Sequence, residues 1–139
     1  MFAIFVTGTA GSGKSLLTSA LTTWYSGKGA HAISANLDPG TVNLPYEPDV
    51  DIREMIDLQT IMTSYQLGPN GAQIFAADML ATRITELQDQ VDSLNPDYVI
   101  FDTPGQVELF AYRESGPFVV QNLRCDGKEV LFLFDSTVV

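Results

Sequence analysis

At 139 residues, 45% hydrophobic and 17% charged, the chain is sized for one domain around one core and is too apolar to be disordered. With 17 acidic against 7 basic side chains its formal charge is −10, which excludes the basic surface needed for direct nucleic-acid or anionic-membrane binding. A single cysteine, Cys125, excludes an internal disulfide and points to a cytoplasmic setting, and no apolar run reaches the roughly 18 residues of a membrane span.

The first predicted element is a strand, Phe2–Val6, which runs into Gly8-Thr9-Ala10-Gly11-Ser12-Gly13-Lys14-Ser15. This G-x-x-x-x-G-K-[ST] run sits between a strand and a helix, the setting a phosphate loop requires. Its glycines let backbone N–H groups curl around a phosphate, and the helix start at Ser15 and Leu16 adds partial positive charge. Lys14 is placed to reach the β- and γ-phosphates and the Ser15 hydroxyl to ligate Mg²⁺. Gly8, Ala10, Gly11, Ser12, Gly13, Lys14, Ser15 and Leu16 are therefore the predicted nucleotide cradle. A helix follows over about Lys14–Tyr25, with Leu17, Leu21 and Trp24 on its inner face.

The second strand, His31–Leu37, ends in Asn36-Leu37-Asp38-Pro39-Gly40. Ligands of open α/β sheets lie at the carboxyl ends of strands, where Asp38 can either serve the Mg²⁺ shell or polarise an attacking water. Asp-Pro-Gly also favours a turn on its own account. A helix is predicted over Ile52–Tyr65, with Asp51 and Glu54 as a capping box. Arg53 beside it reads as a solvated side chain, with a phosphate clamp as the alternative. The turn Leu67-Gly68-Pro69-Asn70-Gly71 leads to a long helix, Ala72–Leu94, whose stripe of Leu80, Ile84, Leu87, Val91 and Leu94 packs on the sheet or seats a partner helix.

The third strand, Asp97–Asp102, ends in an acidic residue and continues as Thr103-Pro104-Gly105-Gln106. An apolar strand ending in Asp is a Walker-B strand, whose carboxylate supports Mg²⁺. Gly105 lets the backbone approach a γ-phosphate, and Gln106 is the candidate for orienting water. Glu108 reads as a cap for the helix that follows. The last strand is predicted at Val130–Asp135. Strands alternating with helices predict a parallel sheet sandwiched by helices, a three-layer α/β P-loop NTPase. The interval from Asp38 to Asp97 carries no hairpin signal, which favours the all-parallel layout of the SIMIBI class over a Ras-like one. Many ATPases of that class carry a lysine where this chain has Thr9, so that charge must come from elsewhere or be replaced by polar donors. A small-molecule kinase is disfavoured, because the arginines at 53, 83, 113 and 124 form no lid-like cluster.

Taken in order, GTAGSGKS, NLDPG, DIRE, LGPNGA and DTPGQVELF closely resemble the GPN-loop GTPases, over nearly the whole chain. The resemblance implies a GTP-hydrolysing, GDP-releasing enzyme that works with Mg²⁺ as a homodimer or a heterodimer of paralogues. It implies that Gly68, Pro69 and Asn70 of one subunit enter the partner's active site, with Asn70 on phosphate or water. It assigns Asp38 and Gln106 to the nucleophile and Ser15, Asp38 and Asp102 to the metal. A switch or an assembly factor is implied, since eukaryotic relatives are associated with RNA polymerase assembly; a non-catalytic, nucleotide-dependent scaffold is the alternative. The family's guanine-reading Asn/Ser-Lys-x-Asp motif is not among these residues. The chain therefore reads as the N-terminal part of one GTPase domain, incomplete on its C-terminal side, and is expected to bind nucleotide weakly and aggregate.

Overall fold

The structure is a computed structural model that describes residues 1–9, 11–105, 115–134 and 136. Five strands, β1 Phe2–Gly8, β2 Ala32–Asn36, β3 Val50–Asp51, β4 Tyr98–Asp102 and β5 Gly127–Leu133, form one sheet in the order β3-β2-β4-β1-β5. Every pairing is parallel. Parallel neighbours cannot be joined by a tight turn, so helices make the crossovers and cover both faces. They are α1 Lys14–Gly27, α2 Leu58–Ser64, α3 Pro69–Thr82, α4 Ile84–Ser93 and α5 Ser115–Asn122.

Side chains of β1 divide by the period of two that a pleated strand imposes. Ala3 and Phe5 join Ile33, Ala35, Val99 and Phe101 on one face, under Ile61, Ala76, Leu80, Leu87, Val91 and Val119 from the helices. Phe5 and Phe101 stack there with ring centroids 4.7 Å apart. Ile4 and Val6 join Ala32 and Ile100 on the other face, against Leu17, Leu21 and Tyr25 of α1. Phe5, Phe101, Val6, Val99 and Ile100 are fully enclosed, each worth roughly 1.5–3 kcal/mol of burial. The register sets Val6 and Asn36 level with Asp102, so three strands deliver their following loops to one edge.

The structure departs from the sequence reading at four places. The helix expected over Ile52–Tyr65 is divided: Val50–Asp51 form a strand, Ile52–Glu54 a 3₁₀ turn, and α2 starts only at Leu58. Two Asx caps cause this, since Asp51 accepts from the Arg53 amide and Asp57 from the Gln59 amide, each at 3.0 Å. Glu54 takes no part in the Asp51 cap. The long helix starts at Pro69 and breaks at Arg83, whose φ of −102° and ψ of 14° leave the helical region. There the Arg83 amide closes α3 on Met79 and Leu80 while its carbonyl opens α4 on Leu87.

In α1 the inner position expected for Trp24 belongs to Tyr25, which stacks on Tyr98 at 4.2 Å. Trp24 is exposed, with the Lys28 ammonium over its ring. β5 begins three residues earlier than expected, because pairing with β1 runs from Gly127 opposite Phe2. Its edge position leaves Lys128 and Glu129 in water, so their charges are no obstacle to a strand.

Candidate active site

The phosphate loop is built where β1 ends. Gly11 and Gly13 have φ of 76° and 95°, the left-handed region that glycine enters without steric cost. The Ser12 amide donates to the Thr9 carbonyl at 3.1 Å, closing the turn. Gly13 caps α1 with no side chain, so the amides of the first helical turn are not blocked by a protein cap. The Ser12 hydroxyl oxygen is buried and has no hydrogen-bond partner among the described residues. A buried orphan hydroxyl is costly, and a phosphate oxygen in the cradle is the kind of partner that removes the cost. Behind the loop, a Cβ at Gly8 would run into the Leu133 carbonyl, so β5 closes the floor.

Lys14 and Ser15 open α1 toward the end of β4. Ser15 Oγ donates to Asp102 Oδ2 at 2.6 Å, and the Tyr46 hydroxyl donates to the same oxygen at 3.0 Å. Asp102 is 2% exposed. Burial pushes its carboxyl above the usual range, against the bonds from Ser15 and Tyr46 and the charge of Lys14. A buried carboxylate with a hydroxyl beside it suits a hard cation. Among the described residues no three His, Cys, Asp or Glu side chains gather as a metal cage. Ser15 and Asp102 thus fit Mg²⁺, which characteristically takes few protein oxygens and fills its octahedron with water and phosphate.

Asp38 follows β2 and is fixed on both sides. Its Oδ1 accepts from the Gly40 amide at 3.0 Å and its Oδ2 from the Gly105 amide at 3.1 Å. The loops after β2 and β4 are therefore joined through one carboxylate. α3 approaches the same loop, because a Cβ at Gly40 would meet Gln73 Nε2 at 3.0 Å. Gly68, Pro69 and Asn70 form the exposed start of α3, with Gly68 as cap and Pro69 in the first turn. Among the described residues no hydrogen bond joins Asn70 to Asp38, Ser15 or Asp102. Leu16 is likewise exposed on the first turn of α1.

The structure thus brings Lys14, Ser15, Asp38, Asp102 and Gly105 to one strand-end edge and leaves Asn70 facing solvent. Ala10, Gln106 and Glu108 lie outside the described residues. Arg53 keeps about a third of its side chain in solvent (32%), but it is not a free phosphate clamp, since its guanidinium is committed to Asp51. Burial raises the Asp51 carboxyl, but the bonds from Arg53 and Asn36 outweigh it and hold the group below the usual range. Tyr46 was not legible as a site residue, because nothing in its sequence neighbourhood marks it. Asn36 was within reach: a polar residue ending an otherwise apolar strand needs a buried partner, and it is fully enclosed.

A family described as conserved hypothetical ATP binding protein matches residues 6–139. The chain is 40% identical to GPN-loop GTPase 3 of Mycosarcoma maydis, over 80% of this chain and 40% of that protein. It is 39% identical to GPN-loop GTPase 3 of Aspergillus fumigatus, over 99% of this chain and 49% of the relative. The crystal structure of a GTPase in apo form from Pyrococcus abyssi superposes with a TM-score of 0.80 at 35% identity, covering 94% of this chain and 52% of that one. The chain therefore spans about half the length of the relatives it matches. By the match over residues 6–139 and its likeness to these relatives, the chain belongs to the GPN-loop GTPase family.

Proposed function

We propose that this chain binds GTP with Mg²⁺ and hydrolyses it to GDP, as one subunit of a dimer whose nucleotide state switches an assembly step in the cytoplasm. The observation that carries the reading is the 2.6 Å bond between Ser15, next to Lys14, and the buried Asp102, level with Asn36 just before Asp38. Bound Mg²⁺ would neutralise charge on the β- and γ-phosphate oxygens, with Ser15 as a direct ligand and Asp102 holding its water.

The chain's own groups account for the rest. Amides from Gly11 to Ser15 and the Lys14 ammonium stabilise charge that builds on the phosphate oxygens. Asp38 accepts a hydrogen bond from the attacking water and aims it in line with the leaving oxygen. Gln106 assists there by the family resemblance. Water is the attacking group, the bond to the γ-phosphorus forms as the β–γ bridge breaks, and the proton leaves to phosphate or solvent.

Dimerisation through Gly68-Pro69-Asn70 is supported by their exposure at the start of α3, one turn from Gln73 at the Asp38 loop. An inserted Asn amide can donate to a phosphate oxygen and accept from water. Guanine choice rests on the names of the relatives, and an RNA polymerase as the assembled client rests on the resemblance alone.

Single-turnover hydrolysis with GTP and ATP tests the proposal. Lys14→Ala is expected to weaken nucleotide binding, and Asp38→Asn to lower the rate by about 10²–10⁴-fold with binding retained. Unchanged rates in both variants would remove the assigned roles, and equal use of ATP would overturn the guanine preference.

A further inference from the structure

Arg53 stands outside the phosphate and metal chemistry above, yet its guanidinium is bonded on several sides. Its Nε donates to both Asp51 carboxylate oxygens at 3.0 Å, and Nη2 donates to Oδ2 at 2.7 Å. Nη1 donates to the carbonyls of Thr41 at 3.2 Å and Val42 at 3.4 Å. Asp51 is fixed in turn by Asn36, whose Nδ2 donates to Oδ1 at 3.1 Å. Asn36 also grips the backbone of Asp38, accepting from its amide and donating to its carbonyl, both at 3.1 Å.

These bonds form one connected frame around residues 38 to 42. One end holds the Asp38 backbone and the other holds the Thr41 and Val42 carbonyls, and both meet at the Asp51–Arg53 pair. The loop within the frame has no helix or strand of its own, and Val42 is 82% exposed. Residues 38–41 are only half-buried, so hydrogen bonds share with packing the work of fixing the loop. A planar guanidinium can serve a carboxylate and two carbonyls at once, which an ammonium cannot do with the same geometry.

We infer that Arg53 is a positioning residue: paired with Asp51, it holds the loop that aims the Asp38 carboxylate, and it acts on hydrolysis through Asp38 without touching nucleotide. The inference rests on the hydrolytic reading of Asp38 given above. It leaves Arg53 unavailable as a ligand for phosphate, so its loss shows in the rate of the chemical step and not in nucleotide affinity.

Two measurements on the full chain separate this inference from the reading beneath it. Amide exchange at Gly40 and Gly105, the two donors to Asp38, is expected to quicken about tenfold in Arg53→Ala while amides of β1 and β4 keep their protection. Arg53→Lys, which retains charge and stem, is expected to recover only part of that protection. Single-turnover hydrolysis is expected to fall about 10–100-fold in Arg53→Ala, with affinity for a fluorescent GTP analogue within about threefold. In an Asp38→Asn background the same substitution should have no further effect on rate. Unchanged exchange at Gly40 in both Arg53 variants would overturn the inference, as would a full additional loss of rate in the Asp38→Asn background. If exchange responds as expected and the wild-type chain hydrolyses nothing, the frame stands and the hydrolytic reading fails.

Discussion

Asp102 receives hydrogen bonds from Ser15 and Tyr46 on a single oxygen, in surroundings that push its carboxyl above the usual range, chiefly through burial. A carboxyl with a folded pKa above its unfolded value stabilises the fold fully below about pH 4 and loses that contribution as pH rises through the folded value. The ionised form of Asp102 therefore costs the ligand-free fold stability, a cost that a bound cation offsets. Asp102→Asn is expected to melt at or above the wild-type temperature at pH 7 without ligand, because the amide oxygen still accepts from both hydroxyls. The same variant should lose the rise in melting temperature that Mg²⁺ with nucleotide gives the wild type. Thermal melts with and without ligand check both halves. A ligand-free Asp102→Asn that melts well below wild type would show that the carboxylate stabilises the fold.

Helices and strands show where sequence reading succeeds and where it stops. The stripe of Leu80, Ile84, Leu87, Val91 and Leu94 treats five positions alike, but Leu80 lies on α3, Ile84, Leu87 and Val91 on α4, and Leu94 caps α4 beyond its end. Leu87 is fully buried beneath the sheet's core face, whereas Leu94 is 38% exposed. Leu87→Ala is therefore expected to cost about 2–5 kcal/mol in urea unfolding. Leu94→Ala should cost far less, within about 1 kcal/mol. The β1, β2 and β4 strands, the phosphate loop and the Asp38 and Asp102 strand ends were legible, because apolar runs and glycine placement follow directly from buried parallel strands and a phosphate cradle. The break at Arg83 was not, since neither Gly nor Pro marks it. The two-residue β3 was hidden by the apolar spacing of Ile52, Met55 and Ile56, which imitates a helix. Tyr46 and the Arg53 frame depend on residues brought together by the fold, beyond what local spacing encodes.

For the molecule as a whole, β5 is the outermost strand on its side among the described residues. Val130 and Phe132 on it and Phe134 just after it are more than half exposed, and Phe118 of α5 is 42% exposed. An open, apolar edge strand is a template for another chain, and a net charge of −10 opposes that association only in part. Sedimentation velocity is expected to show concentration-dependent self-association that Phe132→Glu reduces, at a stability cost within about 0.5 kcal/mol for so exposed a site. No change in sedimentation would place the contact elsewhere. The sheet order has a temporal consequence as well. β1 pairs with β4 and β5, whose residues 98–102 and 127–133 lie far downstream of it in sequence. During synthesis from the N-terminus, β1 and the glycine loop behind it have no strand to join until those residues have been made. β1 and its loop are thus organised later than they are made, and nucleotide binding becomes possible only once the residues of β4 and β5 have joined them.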